Sequence, residues 1–150
     1  MNDLKFTNCG DFLKSQESVQ RIGFACKYMY RNQSIKKRIL EDYQRPLNTR
    51  STTVQWLNRQ TKAVAEERML DIVEHNMQSA YNLVDYVSTL PENRRMVRLG
   101  SNQLPAATHE NWSYLWQDPT NVKMLEEGFA KVGQLARDKD VRISFHPGQF

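Results

Sequence analysis

The chain has 150 residues, of which 39% are hydrophobic and 25% charged, and a formal net charge of +4. That length suffices for one domain with a core, no stretch is as long and apolar as a membrane span, and the polar first twenty residues lack the apolar region of a secretory signal. Two cysteines without CxxC spacing, Cys9 and Cys26, argue against a disulfide framework or a cysteine zinc site, and they fit a reducing, intracellular compartment.

Residues 1–20 read as a polar extension and 21–150 as a single domain. An extended run begins at RIGF, 21–24. A basic stretch follows: from Lys27 to Lys62 there are nine Lys or Arg against Glu41 and Asp42, a local charge of +7 that leaves −3 for the remainder. Tyr28, Tyr30, Tyr43 and Trp56 sit among these charges. Cations bind phosphates and aromatic faces stack on bases, so the mixture suits nucleic acid; a solvated basic loop is the other reading. A helix is predicted from about Thr53 to Leu90, with Leu70, Val73, Met77, Ala80, Val84 and Val87 on one stripe and Ser51, Thr52 or Thr53 as its cap. RLGS at 98–101 is the next strand. A second helix is expected over roughly 121–140, with Val122, Leu125, Phe129, Val132 and Ala136 inward and Asp118 or Thr120 as cap. RISF at 142–145 starts the last strand.

Each strand reads Arg, aliphatic, small. The side-chain period of two puts Arg142, Ser144 and His146 on one face and Val141, Ile143 and Phe145 on the other, which can pack on helices. Arg21, Gly23 and Ala25 share a face in the same way, as do Arg98, Gly100 and Asn102. The order βαβαβ implies parallel strands. An α/β fold follows, and the repeated strand signature favours part of a TIM (β/α)8 barrel, about three βα units of eight, over a doubly wound sheet. The three Arg-led runs are expected to lie side by side and point the same way, which brings two imidazoles and the Gln149–Phe150 pair to a common rim.

In a parallel barrel the loops after the strands' carboxyl ends build the site. Here those loops start at Lys27, at Ser101 and at His146. His109 lies in the second and His146 ends the third strand, so two of the three histidines fall on one rim. Imidazole is the commonest ligand for several divalent metals and the commonest general base. The plain alternative has His146 capping a strand and His109 exposed in a loop. His75, beside Glu74 in mid-helix, reads as a surface or packing residue. Pro147 and Gly148 force a turn that projects Gln149 and Phe150 beyond the strand, an amide and a ring suited to invading a base stack. Trp112, Tyr114 and Trp116 alternate with polar residues and read as loop packing.

RIGFACK, VRLGSNQLPAATH and RISFHPGQF, in that order and spacing, resemble three blocks of the UV damage endonuclease family, with HPGQ the most specific piece. Asn76 also stands where that family tends to carry an asparagine. The resemblance covers residues 21 to 150 and matches the family's amino-terminal half. It implies a TIM barrel related to abasic-site endonucleases and xylose isomerases, a cluster of divalent metals (Mn²⁺ or Zn²⁺), and incision of double-stranded DNA 5′ to a UV photoproduct. It implies His109 and His146 as metal ligands, and Gln149 and Phe150 as the wedge beside the flipped lesion. Phe150 stands where tyrosine is frequent in the family. Phe24 and Tyr28, with Lys27 beside them, stand where the family approaches the lesion with tyrosine and asparagine. The basic insertion is not part of the family pattern. The family's remaining ligands come from later strands, so residues 1–150 alone are expected to be inactive without the carboxy-terminal half of the barrel. Two other readings remain: a sugar isomerase or epimerase on the same barrel, which has no need of the basic stretch, and a non-catalytic basic nucleic-acid-binding fragment.

Overall fold

The structure is a computed structural model that describes residues 20–25, 27–29 and 34–146. Strands β1 (Phe24–Ala25), β2 (Met96–Gly100) and β3 (Arg142–His146) form one sheet in the order β1-β2-β3, and both pairings are parallel. The helices are α1 (Lys37–Gln44), α2 (Val54–Leu57), α3 (Lys62–Ser88) and α4 (Pro119–Asp138). Parallel neighbours need a crossover between them, and α3 and α4 supply it.

The alternation of side chains sorts the sheet into two faces. Phe24, Val97 and Ile143 are in register on one face, where Val97 is fully buried. Ala80, Val84 and Val87 of α3 and Val132 and Ala136 of α4 join Val97, Leu99 and Val141 in one core, so both helices cover that face. A doubly wound sheet carries helices on both faces; among the described residues both long helices cover the same face of these strands. The other face presents Ala25, Arg98 and Ser144 level with one another, then Gly100 opposite His146. Between the helices, a Cβ on Gly128 would land 2.2 Å from Met77 Sδ, so glycine there lets α3 and α4 close on each other.

One expectation holds and two are corrected. The Arg-led runs lie side by side and point the same way, as expected, but staggered: Arg98 stands opposite Ala25 and Ser144, while Arg142 stands opposite Met96. An even stagger, of two residues for Arg142 and four for Arg21, keeps every side chain on its face, so the pattern alone does not fix it. Arg21 donates instead to the Asp140 carboxylate at 2.6 Å and to the Asp140 carbonyl at 2.8 Å, in the turn before β3. The long helix is interrupted: Thr53 caps only α2, accepting from the Trp56 N–H at 3.2 Å, and Thr61 caps α3 through the Val64 N–H. Polar side chains at 58–61 offer the backbone other partners and break the run. Phe145 shares the alternation of Ile143 yet remains 55% exposed.

A second core lies at the amino-terminal half of α3. Leu57, Ala65, Met69 and Val73 pack there with Trp112, Leu115 and Trp116 from the connection after β2. The indole N–H of Trp112 donates to Asn58 Oδ1 at 2.9 Å and that of Trp116 to the Pro105 carbonyl at 2.9 Å. These tryptophans are therefore loop anchors, as their spacing suggests, and the loop carrying His109 is fastened to α3.

Candidate functional site

The carboxyl ends of the three strands meet at Ala25, Gly100 and His146. His146 is exposed on the face away from the helices, directly opposite Gly100, and its carbonyl accepts the Ser101 N–H at 3.1 Å. A Cβ at Gly100 would stand 2.5 Å from Asn102 Oδ1. Glycine there makes room for the Asn102 side chain to fold over the strand end, from which its amide reaches Thr49 Oγ1 at 3.4 Å.

His109 is half-buried in the anchored loop. Its N–H donates to the Ala106 carbonyl, and its own carbonyl receives the N–H groups of Trp112 and Ser113 at 3.0 and 2.9 Å. The ring's Nδ1 accepts the Asn111 N–H at 3.2 Å, which puts the proton of a neutral ring on Nε2. A metal at Nε2 would need that bond exchanged for a proton on Nδ1. Among the described residues no three His, Cys, Asp or Glu gather closely enough to hold a metal ion. The described residues therefore do not by themselves fit a metal cluster.

Two asparagines hold the rim loops together. Asn76, fully buried in α3, accepts the Arg50 N–H at 2.7 Å and donates to the carbonyls of Arg50 at 3.1 Å and Gln103 at 2.9 Å. It thus joins the connection after β1 to the connection after β2. Asn48 accepts the Tyr28 N–H at 2.8 Å and donates to the carbonyls of Tyr28 and Gln44, both at 2.9 Å. His75 reaches the Asn48 carbonyl through Nε2 at 3.0 Å, which makes it a packing residue on a rim loop. Gln103, 6% exposed, donates to the Gly100 carbonyl at 2.8 Å, and its Oε1 has no protein partner. Asn76 is legible as a polar residue on an apolar stripe, which must find partners when buried. Asn48 carries no comparable signal.

The residues expected near a lesion fall into separate environments. Phe24 and Tyr28 pack against the core on the helix side: their rings meet edge to face at 6.2 Å, and Tyr28 meets Tyr86 at 4.9 Å. Lys27 is exposed, its N–H turned back to the Ala25 carbonyl at 2.7 Å. Gln149 and Phe150 lie outside the described residues. On the helix side, a groove of about 880 Å³ runs between α3 and α4, lined by residues of both signs including Asp71, His75 and Lys131, and neither His109 nor His146 lines it. Among the described residues no helix is long and apolar enough to cross a membrane.

Comparison with known proteins gives this arrangement its context. The family model of UV-endonuclease UvdE matches residues 20–150. This chain belongs to the UV-endonuclease UvdE family. A UV DNA damage endonuclease of Clostridium perfringens (strain 13 / Type A) is 22% identical over 130 residues, 87% of this chain and 25% of that protein. One from Bacillus velezensis (strain DSM 23117 / BGSC 10A6 / LMG 26770 / FZB42) is 32% identical over 95 residues, 61% of this chain and 28% of that protein. One from Bacillus cereus (strain ATCC 10987 / NRS 248) is 25% identical over 99 residues, 66% of this chain and 28% of that protein. The chain thus spans about a quarter of the length of these relatives. No solved structure gives a significant match. Within the UvdE family the matched segment takes in β1, β2, β3 and the loops that bear His109 and His146.

Proposed function

We propose that this chain is part of a metal-dependent DNA repair endonuclease that nicks double-stranded DNA 5′ to UV photoproducts. The observation that carries the reading is the family match over residues 20–150. The sheet supports it: consecutive parallel strands with helices on one face are the repeating unit of a TIM barrel, and the opposite face, bearing Arg98, Ser144 and His146, would turn inward there. His109 and His146 would hold divalent metal, Mn²⁺ or Zn²⁺, together with carboxylates beyond those the described residues bring together. When bound, such ions generate hydroxide and neutralise the leaving oxygen. Gln149 and Phe150 would enter the base stack beside the lesion, and Lys27 would meet the phosphate backbone. Phe24 and Tyr28 would support that rim from beneath, because their rings are packed in the core.

The test is nicking of UV-irradiated plasmid by the complete protein with Mn²⁺. Cleavage confined to irradiated DNA and lost in His146→Ala, together with a lower metal-to-protein ratio in that variant, is expected. An unchanged metal ratio would return His146 to a strand-end residue, and equal nicking of unirradiated plasmid would remove the lesion from the reading.

A further inference from the structure

α1 is lightly anchored and lies in the stretch that the family resemblance leaves unexplained. None of its residues is buried, and it packs chiefly on the 3-10 turn that follows it, Arg45–Leu47. An eight-residue helix is not stable on its own in water. What holds it is Asn48, which bonds back to Tyr28 and Gln44 and closes the base of the excursion. The connection departs from the carboxyl end of β1, the same end of the sheet at which His146 stands.

The outward surface has a definite chemistry. Lys36, Ile39 and Tyr43 recur at three and four residues and share one stripe. Ile39 is 46% and Tyr43 66% exposed. Lys37 and Arg45 are opposed only by the helix's own acids, Glu41 at 3.8 Å and Asp42 at 3.4 Å, in exposed pairs. Lys36 and Arg38 form no ion pair among the described residues. Basic residues at the start of a helix also oppose its dipole, so folding of α1 gains nothing from them. A surface with unpaired cations and an exposed aromatic complements a polyanion that carries apolar sugar edges.

We propose that α1 is an arm that grips duplex DNA flanking the lesion, with Ile39 and Tyr43 against the sugars, Lys36 on a phosphate beside them and Arg38, from the other flank of the helix, on a phosphate further along the backbone. This rests on the nuclease reading above and adds to it a contact that is independent of damage. Contacts of this kind release counterions and carry no sequence or lesion information, so they act alike on irradiated and undamaged duplex.

The experiment measures binding of the complete protein to both duplexes by fluorescence anisotropy across a range of salt. Lys36→Gln with Arg38→Gln should weaken both equally and flatten the slope of log affinity against log salt by roughly two, about 0.9 for each phosphate no longer neutralised. The preference for irradiated duplex should stay unchanged. Ile39→Gln with Tyr43→Gln, which keeps the cations, should weaken both duplexes and leave the slope alone. An unaltered slope in the first variant overturns the proposal. So does loss of binding to anionic phospholipid vesicles with DNA binding intact, which would reassign α1 to a lipid surface. A wild-type protein that binds DNA steeply with salt, yet neither prefers nor nicks irradiated DNA, would sink the nuclease reading and leave the slope test of α1 standing.

Discussion

Asn76 occupies a position on α3 where its neighbours at three and four residues, Val73 and Ala80, are buried hydrophobics. Its amide satisfies both main-chain groups of Arg50 and the carbonyl of Gln103. Asn76→Ala orphans all three of these groups, and each left without a partner costs about 1 kcal/mol or more. A loss of about 3 kcal/mol in chemical denaturation is expected, and Asn76→Asp should cost at least as much at neutral pH, because the buried carboxylate keeps the acceptor but sets a charged oxygen against two carbonyls. A loss below about 1 kcal/mol would mean that water replaces these bonds. Tyr114 offers a different test. Burial raises its hydroxyl from 10.0 to about 12, helped by donation to Glu66 Oε1 at 2.7 Å and by the charge of that carboxylate. The folded state therefore holds this proton more tightly than the unfolded state. That contribution is complete below pH 10 and is lost as pH rises from about 10 through about 12. With the ring 39% exposed, solvent screens much of the effect. Tyr114→Phe should lose less stability than the wild type over that alkaline window, and parallel curves would contradict the assignment.

The elements differ in how openly the sequence announces them. α4 begins with Asp118, whose Oδ1 accepts the N–H groups of Thr120 at 2.9 Å and Asn121 at 3.3 Å, followed by Pro119 at the first helical position. Both signals are local, and the helix starts within two residues of the expected position. Asp118→Ala removes a cap and a negative charge at a helix start, so about 1–2 kcal/mol should be lost, and Asp118→Asn should keep most of it. Equal losses in the two variants would make the charge the whole effect. α3 is harder to delimit because the break at 58–61 is made by competing hydrogen bonds within a sequence of good helix formers. α1 is easily missed: Ile39 and Tyr43 do recur at helical spacing, but the segment is short, none of its residues is buried and the charges around it read as loop. The strands' faces are legible from alternation, but their stagger is not: a shift of two residues leaves the pattern unchanged and is fixed by distant partners such as Arg21 with Asp140.

At the scale of the whole molecule, α3 connects two packed regions: its carboxyl half lies on the sheet that ends in His146, and its amino half anchors the loop that carries His109. Connectivity alone starts the loop that carries His109 at the carboxyl end of β2, the end of the sheet at which His146 stands. It does not reveal the hydrogen bond from the Asn111 N–H to His109 Nδ1, which depends on the turn the loop adopts. If one metal centre draws on both imidazoles, binding must stabilise the folded complete protein, by about 2.7 kcal/mol when free metal exceeds its dissociation constant a hundredfold. Added Mn²⁺ should then raise the melting temperature of the wild type. His109→Ala and His146→Ala should each remove most of that rise, and the double variant should remove little more, because ligands of one ion do not contribute independently. Losses that add across the two variants would place the histidines in separate sites, and a full rise in both would leave neither of them holding metal.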